Sequence, residues 1–224
     1  MGDAPIARRA VAELVGTALL LVAVIGSGIA AQRLTPGDTG LQLLENAIAT
    51  GAALVAIIAA IGSVSGAHLN PVVSIADATF GGLRWRDAGA YAVAQILGAA
   101  LGAIVANLMF SLEAVNVSHH SRSSTNLWLG EVVATFGLLL VIFGMTRSGR
   151  AAFVPFAVGA YITGAYFFTS STSFANPAVT LARTMSNTFA GIDPSSMPAF
   201  VASQLVGLVI AVAAIRLLWP EIRG

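Results

Sequence analysis

The chain contains no cysteine, which removes disulfide frameworks, thiolate metal sites and thiol nucleophiles at once. Lysine is also absent: all 11 basic residues are arginine, set against 10 acids, and a net charge of +1 gives no electrostatic footprint for nucleic acid. Only 9% of the 224 residues are charged while 57% are hydrophobic, a balance that a soluble domain of this length does not have. No nucleophile paired with a base, no metal-ligand cluster and no phosphate-cradling loop can be read, so neither an enzyme nor a cofactor is expected. What the chain has instead is apolar runs.

Six runs are long enough to cross a hydrocarbon core of about 30 Å: roughly 11–31, 43–62, 88–110, 128–146, 151–168 and 200–219. The lipid bilayer is therefore the expected surroundings, and an even number of spans puts both termini on one side. Arg8 and Arg9, Arg84 and Arg86, Arg147 and Arg150, and Arg223 fall on that side, whereas Arg33, Arg122 and Arg183 fall on the other. By the bias of positive residues toward the cytoplasm, both termini are expected inside, in a bacterial-type inner (plasma) membrane.

Two segments are apolar but too short to span, Leu69 to Gly81 and Ala175 to Asn187, and each opens with Asn-Pro. Asn is a favoured N-cap, and proline suits the first helical position. Asn70-Pro71-Val72 and Asn176-Pro177-Ala178 therefore read as the starts of two half-helices, with side-chain amides at their positive ends. The motifs belong to a larger duplication. Glu13-Leu14-Val15-Gly16-Thr17 parallels Glu131-Val132-Val133-Ala134-Thr135, and Gln95 with Gly98 parallels Gln204 with Gly207. Three spans per half make the copies enter the membrane from opposite sides. One channel domain over 1–224, with a first repeat at 8–111 and a second at 127–220, is therefore an inverted repeat. The polar stretch between the halves, Leu112 to Leu127, is expected to be an external surface loop. Backbone leading into the half-helices, through Gly66, Ala67 and His68 and through Thr172, Ser173, Phe174 and Ala175, is expected to line a wet pore and offer it carbonyl oxygens.

These residues resemble the aquaporin and glycerol facilitator family over essentially the whole chain, in Ser65 to Pro71, Asn176 to Ala178, Glu13, Glu131, Gln95 and Gln204. The resemblance implies an all-α channel of six transmembrane helices and two re-entrant half-helices. It also implies a homotetramer with one pore per subunit, and glutamates that brace the re-entrant loops. It implies a four-residue selectivity filter too, carried here by counting to Thr50, Gly164, Ser173 and Val179. Water-selective relatives resemble Phe, His, a small residue and Arg at these places, and glycerol facilitators Trp, Gly, Phe and Arg. With no aromatic and no guanidinium, this filter is expected to be wide and uncharged. Val72, for the usual alanine, is expected to add apolar wall near the Asn pair.

The expected solutes are water, glycerol or urea. The missing arginine also resembles the bacterial aquaporins encoded beside arsenic-resistance genes, which that likeness associates with undissociated or methylated arsenicals. An orthodox water channel and a secondary transporter built on inverted repeats are the competing readings. Among the remaining charges, Asp77 is expected to pair with Arg84 or Arg86. Arg183, four residues past Val179 and on its helix face, is expected to reach back over the outer vestibule.

Overall fold

The computed structural model describes residues 4–220; Arg223, counted above among the inward arginines, lies outside them. Among the described residues there are eight α-helices: α1 (Ile6–Leu34), α2 (Thr39–Ser65), α3 (Pro71–Thr79), α4 (Trp85–Met109), α5 (Thr125–Arg147), α6 (Val154–Phe168), α7 (Pro177–Arg183) and α8 (Met197–Leu218). Six are long and apolar enough to cross a membrane, α6 with the help of a preceding turn at Ala151–Phe153. At nine and seven residues, α3 and α7 are not. Each half-helix starts at its proline and not at the head of its apolar segment, because Leu69 and Ala175 have left-handed backbones, with φ of 52° and 48°.

The two halves pack alike. Helix α1 lies against α2 and α4, α5 lies against α6 and α8, and α2 against α6 joins the halves. Each half-helix touches the last helix of both halves, α3 on α4 and α8, α7 on α8 and α4. With no hydrophobic force between helices in lipid, such packing depends on close van der Waals approach. Gly98 and Gly102 on α4 provide it: a Cβ at either would overlap the Leu14 or Ala18 carbonyl oxygen of α1. Gly207 on α8 faces the Val132 carbonyl of α5 in the same way, so the duplication extends to the contacts.

The linker is not a free surface loop. Asn116 and Ser118 donate their backbone N–H groups to the carbonyls of Met185 and Thr184 at 3.0 and 2.9 Å, and Ser118 is buried. The segment is thus laid along the chain just past the C-terminal end of α7, where it satisfies the carbonyls of Thr184 and Met185.

Candidate pore

Two buried glutamates hold the loops. Glu13 accepts from the backbone N–H groups of His68 (2.9 Å) and Leu69 (2.7 Å), the Ser65 hydroxyl (2.6 Å) and Gln95 Nε2 (2.8 Å). Glu131 accepts from the N–H groups of Phe174 (2.8 Å) and Ala175 (2.9 Å) and from Gln204 Nε2 (2.6 Å). A carboxylate is the side chain for this task, being acceptor-only with room for about four donors. The loops need such support. Ala67 and Leu69 in one, and Ser173 and Ala175 in the other, have φ between 48° and 53°, and left-handed non-glycine residues cost about 1–3 kcal/mol each.

The asparagines meet in the middle. Asn70 Nδ2 donates to the Ala175 carbonyl at 2.7 Å, and Asn176 Nδ2 donates to the Leu69 carbonyl at 2.8 Å, a reciprocal clasp between the loops. Asn70 Oδ1 caps α3 through Val72 N–H (3.0 Å), and Asn176 Oδ1 caps α7 through Ala178 (3.0 Å) and Val179 (3.3 Å). Pro71 and Pro177 fill the first helical positions. An amide nitrogen carries two hydrogens, so after the clasp each Asn has one left to offer, and both residues line a cavity of about 430 Å³.

That cavity follows one row of residues on each helix. Thr50, Leu54, Ile58 and Gly62 line it from α2, Val154, Val158, Ile162 and Tyr166 from α6, and Leu138, Ile142 and Thr146 from α5. All are spaced by four, a single face. Gly164 is two residues off the α6 row, about 200° round the helix, and is exposed on the outer surface. The residue facing Thr50 is Tyr166, whose hydroxyl lies 3.1 Å from Thr50 Oγ1. Extending the spacing of four along α6 would have found it; counting back from Asn176 does not.

The Thr50 end of the cavity differs from the expected ring in composition as well. Thr50, Tyr166, Ser173, Val179 and Arg183 all line the cavity, so a phenol stands where none was expected, and the Arg183 guanidinium expected over the vestibule shares the wall with the four other residues. Gly66, Ala67, His68 and Phe174 are also on the wall, whereas Thr172 and Ala175 lie off it, Ala175 wholly buried. Val72 does not face the pore. Its methyls pack with Leu139, Phe143 and Leu208 of α5 and α8, and its neighbour Val73, one helical step round, takes the place on the wall.

Toward the other end, His68 and Asp77 share the wall. His68 Nδ1 is 3.1 Å from Ser74 Oγ, and its Nε2 is 3.6 Å from Asp77 Oδ2. The expected partners of Asp77 are occupied otherwise or not at hand: Arg84, together with Arg9, pairs with Asp87.

The model of the major intrinsic protein family matches residues 2–173. The chain belongs to that family. As a member it is a multi-pass membrane channel and not an enzyme. It is 50% identical to aquaglyceroporin AqpS of Rhizobium meliloti (strain 1021) over 100% of this chain and 95% of the relative, which carries the likeness through the second Asn-Pro motif. Aquaporin AqpM of Methanothermobacter marburgensis is 29% identical over 96% of this chain and 98% of its own. The fold matches the X-ray structure of the aquaglyceroporin from Plasmodium falciparum with a TM-score of 0.70, at 21% identity and 98% coverage of both chains.

Proposed function

We propose that this channel passes small uncharged solutes downhill, water, glycerol and urea among them, through a filter made at Thr50, Tyr166, Ser173 and Val179. The observation that carries the reading is a wall that mixes hydroxyls with aliphatic side chains. Hydroxyls of Thr50 and Tyr166, and Ser173 Oγ, which has no partner among the described residues, share the cavity wall with the aliphatic side chains of Val24, Leu54 and Ile162. A polyol can turn its oxygens to the hydroxyls and its carbons to Val24, Leu54 and Ile162, so few buried polar groups go unsatisfied on either partner. The 50% identity to a protein named an aquaglyceroporin supports the same solute class.

At position 179 valine leaves the filter wider than a guanidinium there would, which suits solutes of glycerol size and extends to undissociated or methylated arsenicals. The positive ends of α3 and α7 and the spare Asn N–H groups oppose cations at the centre. A homotetramer, with one pore per subunit and cytoplasmic termini in a bacterial inner membrane, completes the reading. Its supports are the family resemblance and the arginines, which sit mainly on the side of the termini.

The test is stopped-flow light scattering on proteoliposomes with water, urea and glycerol, and with trivalent arsenic uptake measured alongside. The wild type should pass all three solutes. Val179→Arg should cut glycerol flux at least about tenfold, equivalent to about 1.4 kcal/mol of added barrier, while sparing water. Indifference to this change would put the filter elsewhere, and a wild type that passes only water would make the protein an orthodox water channel.

A further inference from the structure

Arg183 is 2% exposed, yet it lines the pore cavity. Among the described residues its guanidinium makes one hydrogen bond, from Nε to the Ala190 carbonyl, and no ion pair. Its Cζ lies 3.4 Å from the centre of the Phe174 ring. The chain beyond α7 turns back to hold it there, because Ile192 N–H donates to the Arg183 carbonyl at 3.3 Å while Ala190 receives Nε. Arg122, from the linker, is held in parallel: its Nε donates to the next carbonyl, Gly191, at 3.0 Å, and its Cζ is 5.1 Å from the same ring. A buried cation with no carboxylate is expensive. A ring face and a carbonyl offset part of that cost, and they leave both terminal nitrogens of Arg183 without protein acceptors.

We propose that Arg183 is the filter guanidinium of this channel, reaching the pore from one helical turn beyond Val179, where it offers N–H donors to acceptor oxygens of passing uncharged solutes and repels cations. The inference rests on the channel reading above and adds a specificity-determining residue to it. One turn of α-helix is about 5.4 Å, within the reach of an arginine, and helical side chains lean toward the N-terminus. Its neighbours fit a standing positive charge. His120 is held below the usual imidazole range by burial and by the charges of Arg122 and Arg183, so it adds no second positive charge beside them. Valine at position 179 then leaves space for a side chain arriving from outside instead of marking a lost function.

The full chain in proteoliposomes tests this with two readouts, solute permeability and proton or sodium leak under an imposed potassium potential. Arg183→Gln removes the charge and the terminal nitrogens while keeping a donor near the place of Nε; it should raise cation leak at least about tenfold and shift the urea-to-glycerol ratio by about twofold or more. In Arg183→Gln/Val179→Arg the charge returns one turn earlier, and cation exclusion should return with it. Arg183→Lys should keep the exclusion but shift the urea-to-glycerol ratio by about twofold or more, since an ammonium lacks the planar fork. This variant decides the matter if the glutamine variant does not fold. Wild-type leak and solute ranking in folded Arg183→Gln, or an unchanged ratio in Arg183→Lys, would overturn the assignment while leaving the channel reading intact. A wild type without solute flux would overturn both.

Discussion

Replacing Glu13 by glutamine tests the brace on which the pore loops depend. In the native chain Oε1 receives Ser65 Oγ and His68 N–H, and Oε2 receives Leu69 N–H and Gln95 Nε2. A glutamine must put an NH2 at one of these places. At Oε1, the serine hydroxyl can turn and accept, but the His68 N–H is stranded. At Oε2, Gln95 can flip, since its own Oε1 has no partner, but the Leu69 N–H is stranded. One buried backbone donor is lost in either case, about 1–3 kcal/mol, and the surviving bonds weaken from charged to neutral strength by about 1 kcal/mol each. Removing a buried charge returns several kcal/mol of desolvation, and the net expectation is a loss of about 2–4 kcal/mol. That corresponds to roughly 30- to 1000-fold more frequent opening of the 66–70 loop. Hydrogen exchange at the His68 and Leu69 amides measures it, with thermal unfolding in detergent and solute flux as companions. Exchange rates and Tm equal to wild type would refute the brace. Glu131→Gln should behave alike at Phe174 and Ala175, whose N–H groups go to different oxygens of one carboxylate.

Asn176→Ala removes the cap on α7 and the donor to the Leu69 carbonyl, so it should cost about 2–4 kcal/mol and abolish flux; a stable, permeable variant would contradict the clasp. Gly98→Val drives methyls into the Leu14 carbonyl of α1 and should destabilise by about 1–3 kcal/mol or more, seen as a lower Tm and loss of a single peak on size exclusion. Val72→Ala should lower stability by about 2 kcal/mol through a cavity between α3, α5 and α8, with solute ranking unchanged. A changed ranking at unchanged Tm would put Val72 on the pore after all. Tyr166→Phe removes one bond to Thr50, about 0.5–1.5 kcal/mol, and should lower glycerol flux a few-fold more than water flux; equal effects would take Tyr166 out of the filter.

The parts that could be read directly from the chain are those in which residue type and function coincide. A carboxylate, an asparagine before proline and a glutamine recur in the same order in both halves. Each is nearly obligatory for what it does, since a loop with several inward N–H groups needs an acceptor-only partner, and a half-helix buried in the membrane needs a cap. The parts that could not be read depend on rotation and reach. Gly164 is the right distance from Asn176 along the chain but on the wrong side of α6, because the phase of that helix is set by its packing on α2 and α5. Val72 fails for the same reason in α3. Arg183 is the opposite case: its Cα is where the sequence puts it, one turn past the filter, but the position of its charge depends on Phe174 before it and on Ala190 and Ile192 after it. A filter read only from the residue at position 179 is uncharged; the one proposed above, read from where the guanidinium of Arg183 comes to rest, is not. The chemistry of a pore belongs to the atoms at its wall, and an arginine can supply those atoms from a full helical turn away.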